Sequence, residues 1–170
     1  MNSTCKKILD YVIYIVLAVI IAYFINSFII LNAVIPSESM ETTIMTGDRI
    51  IANRLAFLFS DVERGDIVIF PSPDDENKLL IKRVVGLPNE KINIINGDVY
   101  INDVFLEENY IVYKDNYNGD FQVPEDSYFL MGDNRPDSID ARYWHRNYIH
   151  NDEIIGKALF RYFPWPKLVK

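Results

Sequence analysis

A chain of 170 residues with a formal net charge of −7 has room for one folded domain and lacks the basic excess that nucleic acid demands. Its single cysteine, Cys5, excludes a disulfide, and excludes a thiol nucleophile or cysteine metal site beyond the N-terminal tail. Before Pro36 the only charged residues are Lys6, Lys7 and Asp10, so the remainder carries −8, which also argues against anionic lipid as its partner.

Residues 1–10 form a short tail. Tyr11–Leu31 is then almost continuously apolar, interrupted only by Asn26 and Ser27, and is long enough to cross a hydrocarbon core of ~30 Å. Asn32-Ala33-Val34 would pass for a poor cleavage site, but the apolar region of a removable signal peptide is only ~7–15 residues long. The segment therefore reads as an uncleaved signal-anchor helix. Lys6 and Lys7 precede it, whereas Glu38, Glu41 and Asp48 come before the first arginine after it. The positive-inside rule puts the N-terminus in the cytoplasm and residues 36–170 outside the cell membrane.

Beyond Pro36, short runs rich in Val, Ile, Tyr and Phe are broken by Gly, Pro, Asn and Asp. Strands are expected at 48–53, 66–70, 79–85, 91–95, 98–101, 128–131 and 157–162. Asn96-Gly97 is a two-residue hairpin signal between the fourth and fifth. The fold class that follows is mainly β, an antiparallel β-sheet domain behind one N-terminal transmembrane helix, with about 89–125 as a smaller hairpin-rich insertion. Pro71–Asn77 and Lys114–Asp120 are polar enough to be exposed loops.

Three clusters carry chemistry. Ser39, in Pro36-Ser37-Glu38-Ser39-Met40, stands just past the apolar span, where a nucleophile would act at the membrane surface. A serine nucleophile needs a base. The histidines are His145 and His150, both in the charged aromatic stretch RYWHRNYIH. The other candidate is Lys82, set among Leu79-Leu80-Ile81 and Val84-Val85, where burial would favour the neutral amine. On periodicity alone Lys82 also reads as a solvated strand residue, and Ser39 as a turn serine. The third cluster, Met131-Gly132-Asp133-Asn134-Arg135-Pro136-Asp137-Ser138-Ile139-Asp140-Ala141-Arg142, is a turn-rich loop with carboxylates and arginines. Asp133, Asp137 and Asp140 lack the spacing of a calcium loop, and no metal or cofactor is expected.

Taken in order after an N-terminal anchor, PSESM, RGDIVIF, IKRVVGLPNE and MGDNRPDSIDAR closely resemble the bacterial type I signal peptidases, in their compact Gram-positive form. The resemblance covers essentially the whole chain. It implies Ser39 as nucleophile, Lys82 as general base, and the Ser37 hydroxyl with the Ser39 N–H as the oxyanion hole. Ser138 is implied to hydrogen-bond and orient the lysine, and Asp140 and Arg142 to brace the region, with Asp133 alongside. Ile35, Pro36, Met40, Ile44, Leu80 and Ile81 fall where the family builds its substrate cleft. The implied substrates are secretory pre-proteins with small residues before the cleavage site, at the lipid bilayer.

The sequence departs from the family pattern at two positions. Thr42 stands where a proline is usual, and Ala141 where the last motif usually has a serine. A self-cleaving regulator similar to the SOS repressors uses the same dyad, but the anchor and the lack of a DNA-binding helical module oppose it. A catalytically inactive adaptor for surface or pilus assembly is opposed by the intact Ser37, Ser39, Lys82 and Ser138.

Overall fold

The computed structural model describes residues 3–169; the side chains of residues 3–6, 8, 9 and 76 lie outside what is described. Helix α1 (Ser3–Phe24) leads into one wider turn, Ile25–Ile29. Within them Asp10–Ile29 has a mean hydropathy of 2.5, and none of it is buried in the protein. By length and composition it is able to cross a membrane.

The helix is expected to reach Leu31 but stops short of it. Ile30 is already extended (φ −105°, ψ 136°) and opens strand β1 (Ile30–Val34). β1 pairs antiparallel with β2 (Arg49–Asn53), and Leu31 is buried in the domain. The run divides in two: it is exposed and apolar up to Ile29, and from Leu31 it enters the protein core. The helix also takes in residues 3–10, which the composition alone marks as a tail.

The remaining strands are β3 (Ile67–Ser72), β4 (Asp75–Gly86), β5 (Lys91–Ile95), β6 (Asp98–Ile101), β7 (Val104–Phe105), β8 (Gly119–Gln122), β9 (Ser127–Met131), β10 (Ile149–His150), β11 (Gly156–Phe163) and β12 (Lys167–Leu168). The larger sheet runs β1-β2-β11-β3-β4-β9-β10, with β12 added to β11; the smaller runs β7-β6-β5-β8. All pairings are antiparallel among the described residues.

Two expected loops prove more ordered than their polarity suggests. Within Pro71–Asn77 the chain makes a tight hairpin, with Ser72 opposite Asp75, because the Ser72 hydroxyl accepts the Asp74 N–H and turns the chain. Within Lys114–Asp120, Gly119 and Asp120 begin β8, and Tyr117 and Asp115 bond Arg142. The Asn96-Gly97 hairpin forms as expected, both residues having positive φ (51° and 82°) as such a turn requires.

One core cluster joins the two sheets through Phe70, Val84, Ile92, Val99, Phe129 and Trp144. A second, with Ile35, Met40, Ile44, Ile50, Ile69 and Ile81, lies under the segment that follows β1. Gly86 sits where β4 leaves the larger sheet. A Cβ there would lie 2.8 Å from Ile92 Cδ1 and 2.9 Å from Phe129 Cβ. Gly86→Ala should therefore cost about 1–3 kcal/mol by overpacking, read as a lower urea midpoint of the full chain in detergent; an unchanged midpoint would mean the seam is loosely packed.

Candidate active site

β4 presents Lys82 and Arg83 in succession, and successive side chains of a strand leave opposite faces. Lys82 Nζ lies 2.5 Å from Ser39 Oγ, and both residues are buried, at 3% and 6% exposure. Arg83 donates to both oxygens of Asp133, from Nε at 2.8 Å and from Nη2 at 2.6 Å. The bland reading of Lys82 as a solvated strand lysine does not survive this burial.

Ser39 reaches Lys82 because the chain turns sharply after β1. The Glu41 N–H donates to Glu38 O at 3.0 Å, and the Ile44 N–H to Met40 O at 2.8 Å. Asn134 holds this turn from the other side, its N–H on Ser39 O at 3.1 Å and its Nδ2 on Glu38 O at 3.2 Å. Gly132 makes the approach possible. A Cβ there would stand 2.2 Å from Ser138 Oγ and 2.5 Å from Ser39 O, which no side chain survives.

Burial lowers the Lys82 pKa from 10.5 to about 8. Asp140 and Asp133 oppose that shift by favouring the ammonium, and Arg142 reinforces it. Asp140, wholly buried, accepts Arg142 Nε and Nη2 at 2.8 Å each, and also takes the Gly132 N–H at 3.0 Å. Arg142 Nη2 donates to Arg135 O at 2.9 Å, so the pair ties the loop's two ends together.

The other expected residues fall as follows. Ser37 Oγ is 3.4 Å from Ser39 Oγ and faces solvent. Ser138 Oγ is buried but makes no hydrogen bond among the described residues, so the bond to Lys82 implied by the resemblance is not formed; Nζ is directed at Ser39 instead. Ile35, Pro36, Leu80 and Ile81 line a groove of about 520 Å³ together with Val34 and Leu79. Met40 and Ile44 do not line it. Both are fully buried, because the turn directs them into the core beneath. His145 and His150 are exposed and pair with Asp74 and Asp152.

The acidic loop is occupied by its own partners: Asp133 by Arg83 and Thr43 Oγ1, Asp137 by Asn134 Nδ2, and Asp140 by Arg142. Among the described residues no cluster of His, Cys, Asp or Glu is arranged to hold a metal ion. Arg83 and Asn134 are the contacts that sequence reasoning missed. The available signal for Arg83 was strand alternation, since a lysine turned inward to Ser39 sends its neighbour to the other face, where a second buried cation needs a carboxylate.

Comparison with known proteins shows the family. The family described as "Signal peptidase, peptidase S26" matches residues 8–165. A probable signal peptidase I-2 of Synechocystis is 38% identical over 160 residues, covering 90% of this chain and 72% of its own. Signal peptidase I of Bacillus amyloliquefaciens is 34% identical, covering 99% of this chain and 96% of its own. A crystal structure of a signal peptidase I from Enterococcus faecalis V583 superposes with a TM-score of 0.50 at 34% identity, over 58% of this chain and 97% of that one. A family match along nearly the whole length, on a largely antiparallel β-domain behind one apolar helix, identifies this chain as a peptidase belonging to the signal peptidase family, peptidase S26.

Proposed function

We propose that this peptidase is a membrane-anchored serine endopeptidase that removes signal peptides from exported pre-proteins, with Ser39 as nucleophile and Lys82 as general base. The observation that carries the reading is the buried 2.5 Å contact between Lys82 Nζ and Ser39 Oγ. A neutral amine at that distance takes the hydroxyl proton as Oγ attacks the scissile carbonyl. The resulting tetrahedral oxyanion sits between the Ser39 N–H and the Ser37 hydroxyl. Lys82, now an ammonium, protonates the leaving amine, and a water activated by the same amine releases the acyl group from Ser39.

The groove that reaches Pro36 and Ile81, the latter next to Lys82 in β4, supports an extended peptide substrate. Its walls are Ile35, Pro36, Leu80 and Ile81, which suit small apolar side chains such as Ala near the cut. Asp10–Ile29 supplies the anchor, and the charge asymmetry around it puts the peptidase domain outside the cell membrane, where the cleavage sites of exported proteins emerge.

Ser39→Ala and Lys82→Ala should each abolish cleavage of a labelled pre-protein while the chain stays folded. The double variant should be no worse than either single one, since neither half of the dyad works alone. Ser37→Ala should lose about 10²–10³ in rate, the usual size for one oxyanion donor. Near-normal turnover by Lys82→Ala would end the assignment.

Turnover should also follow the protonation of Lys82. The folded-state pKa is depressed to about 8, so the amine is charged and idle below that pH and neutral above it. The rate should therefore rise with pH through about 8, well above the ~6.5 of an ordinary histidine. Changing both His145 and His150 to Gln should leave that limb in place; its disappearance would make histidine the base.

Topology is checked separately. Protease added to intact spheroplasts should cut at Lys114, which is exposed. Protection until the membrane is permeabilised would reverse the orientation.

A further inference from the structure

The groove that reaches Pro36 and Ile81 does not end where its apolar walls end. Its far end is polar, formed by Asn26 and Asn32, whose side chains bond each other at 3.2 Å, and by Arg54. Arg54 follows β2 directly and is exposed, and its guanidinium makes no hydrogen bond or ion pair among the described residues. A free cation at one end of an otherwise apolar groove is an unexplained feature of the site.

Where this end lies decides what it meets. β1 runs from Ile30, at the end of the apolar span, to Val34, close to the turn that carries Ser39. On the proposed reading, a substrate whose apolar segment is in the bilayer must send the residues before its cut along this same path. From Ile30 to Pro36 the groove is roughly 20 Å long at about 3.3 Å per residue, room for about six extended residues. A membrane helix of the substrate must therefore unwind at the height of Asn26, Asn32 and Arg54. The last turn of any helix leaves about four carbonyls without partners and carries the negative end of the helix dipole. The protein's own helix meets the same need at the same height, where the Ile29 carbonyl accepts the Arg54 backbone N–H at 2.9 Å.

We infer that the Arg54 guanidinium, with the Asn26 and Asn32 amides beside it, caps the C-terminal end of the signal peptide's membrane helix and so fixes how many residues separate that helix from the cut. This rests on the endopeptidase reading above and adds a specificity site to it. Arg54 acts on a part of the substrate remote from the scissile bond, so its effect belongs in binding and not in the chemical step.

The test compares two substrates in nonionic detergent without lipid. One is a full pre-protein; the other is a short peptide with about five residues before the cut and no helix. Arg54→Ala should raise KM for the pre-protein about two- to fivefold, the usual range for a cation at a helix C-terminus, with kcat unchanged. The short peptide should be cleaved as by the wild type, and Arg54→Lys should restore most of the loss. Because the Arg54 backbone bond to Ile29 survives these substitutions, the end of the protein's own helix is not disturbed. Equal losses on both substrates would make Arg54 merely structural, and no loss on the pre-protein would remove the cap. A loss seen only in phosphatidylglycerol vesicles would assign Arg54 to lipid phosphate and overturn the inference. A wild-type chain that cleaves neither substrate overturns the endopeptidase reading, and this cap with it.

Discussion

The contact between Lys82 and Ser39 sets the terms for everything around it, because a lysine serves as a base only where its ammonium is unwelcome. Lys82 sits on β4, between β3 and β9 in the sheet, and is nearly inaccessible to water. Burial alone does not secure the neutral form, since Asp133 and Asp140 both act to hold its proton. Each of these carboxylates is bound by an arginine of its own, Asp133 by Arg83 and Asp140 by Arg142. Removing either arginine would leave an unpaired buried carboxylate, whose nearest remaining remedy is a charged Lys82. The two ion pairs thus serve less to stabilise the fold than to keep the acids from recruiting the lysine.

Those arginines depend in turn on the smaller sheet and the segment that leaves it. The Tyr110 ring packs 3.9 Å from the Arg83 guanidinium, and Glu108 takes both the Tyr110 hydroxyl and Arg135 at 2.5 Å. Asp115 completes the set by pairing with Arg142. Residues 106–117 therefore run as a strap over the loop that follows β9, holding the two arginines that pair Asp133 and Asp140, and Arg135 between them. Burial and the neighbouring Glu108 carboxylate push the Tyr110 phenol up, so its hydroxyl keeps the proton it donates to Glu108.

Much of this was legible in the sequence, and the failures have specific causes. The antiparallel β-domain follows from the spacing of short β-branched and aromatic runs, and the one exposed apolar helix from its length. Leu31 misled because an apolar residue looks the same facing lipid or facing core. The Pro71–Asn77 hairpin was hidden by polar residues that turn the chain without leaving the sheet. At the site, Ser39, Lys82, Asp140 and Arg142 stand out through motif and chemistry. Arg83 and Asn134 did not, because their work is directed at backbone and carboxylates that only the folded chain brings near. Met40 and Ile44 were expected on the groove wall because the resemblance puts them where the family builds its substrate cleft. The one-turn geometry from Met40 to Ile44 buries them instead.

The two departures from the family's motifs make sense against this network. A proline three residues past the nucleophile would stiffen the turn through its fixed φ. Thr42 has no such constraint, but its hydroxyl donates to the Tyr110 carbonyl at 3.2 Å, and its neighbour Thr43 donates to Asp133 at 2.5 Å. These bonds tie the turn from outside, to the strap and to the loop after β9, where a ring would have stiffened it from within. Ala141 is wholly buried in the core cluster that contains Phe70 and Trp144, and its N–H already donates to Leu130 O at 3.1 Å. A hydroxyl at that position would be one more buried polar group in need of a partner, in a loop where Ser138 Oγ and Asn134 Oδ1 already lack one. Alanine there lowers the polar demand of the loop without touching the Asp140–Arg142 pair, whose bonds come from side-chain and backbone atoms that the substitution leaves in place. Both departures thus leave the surroundings of Lys82 dry and its two acids paired, the condition on which its lowered pKa rests.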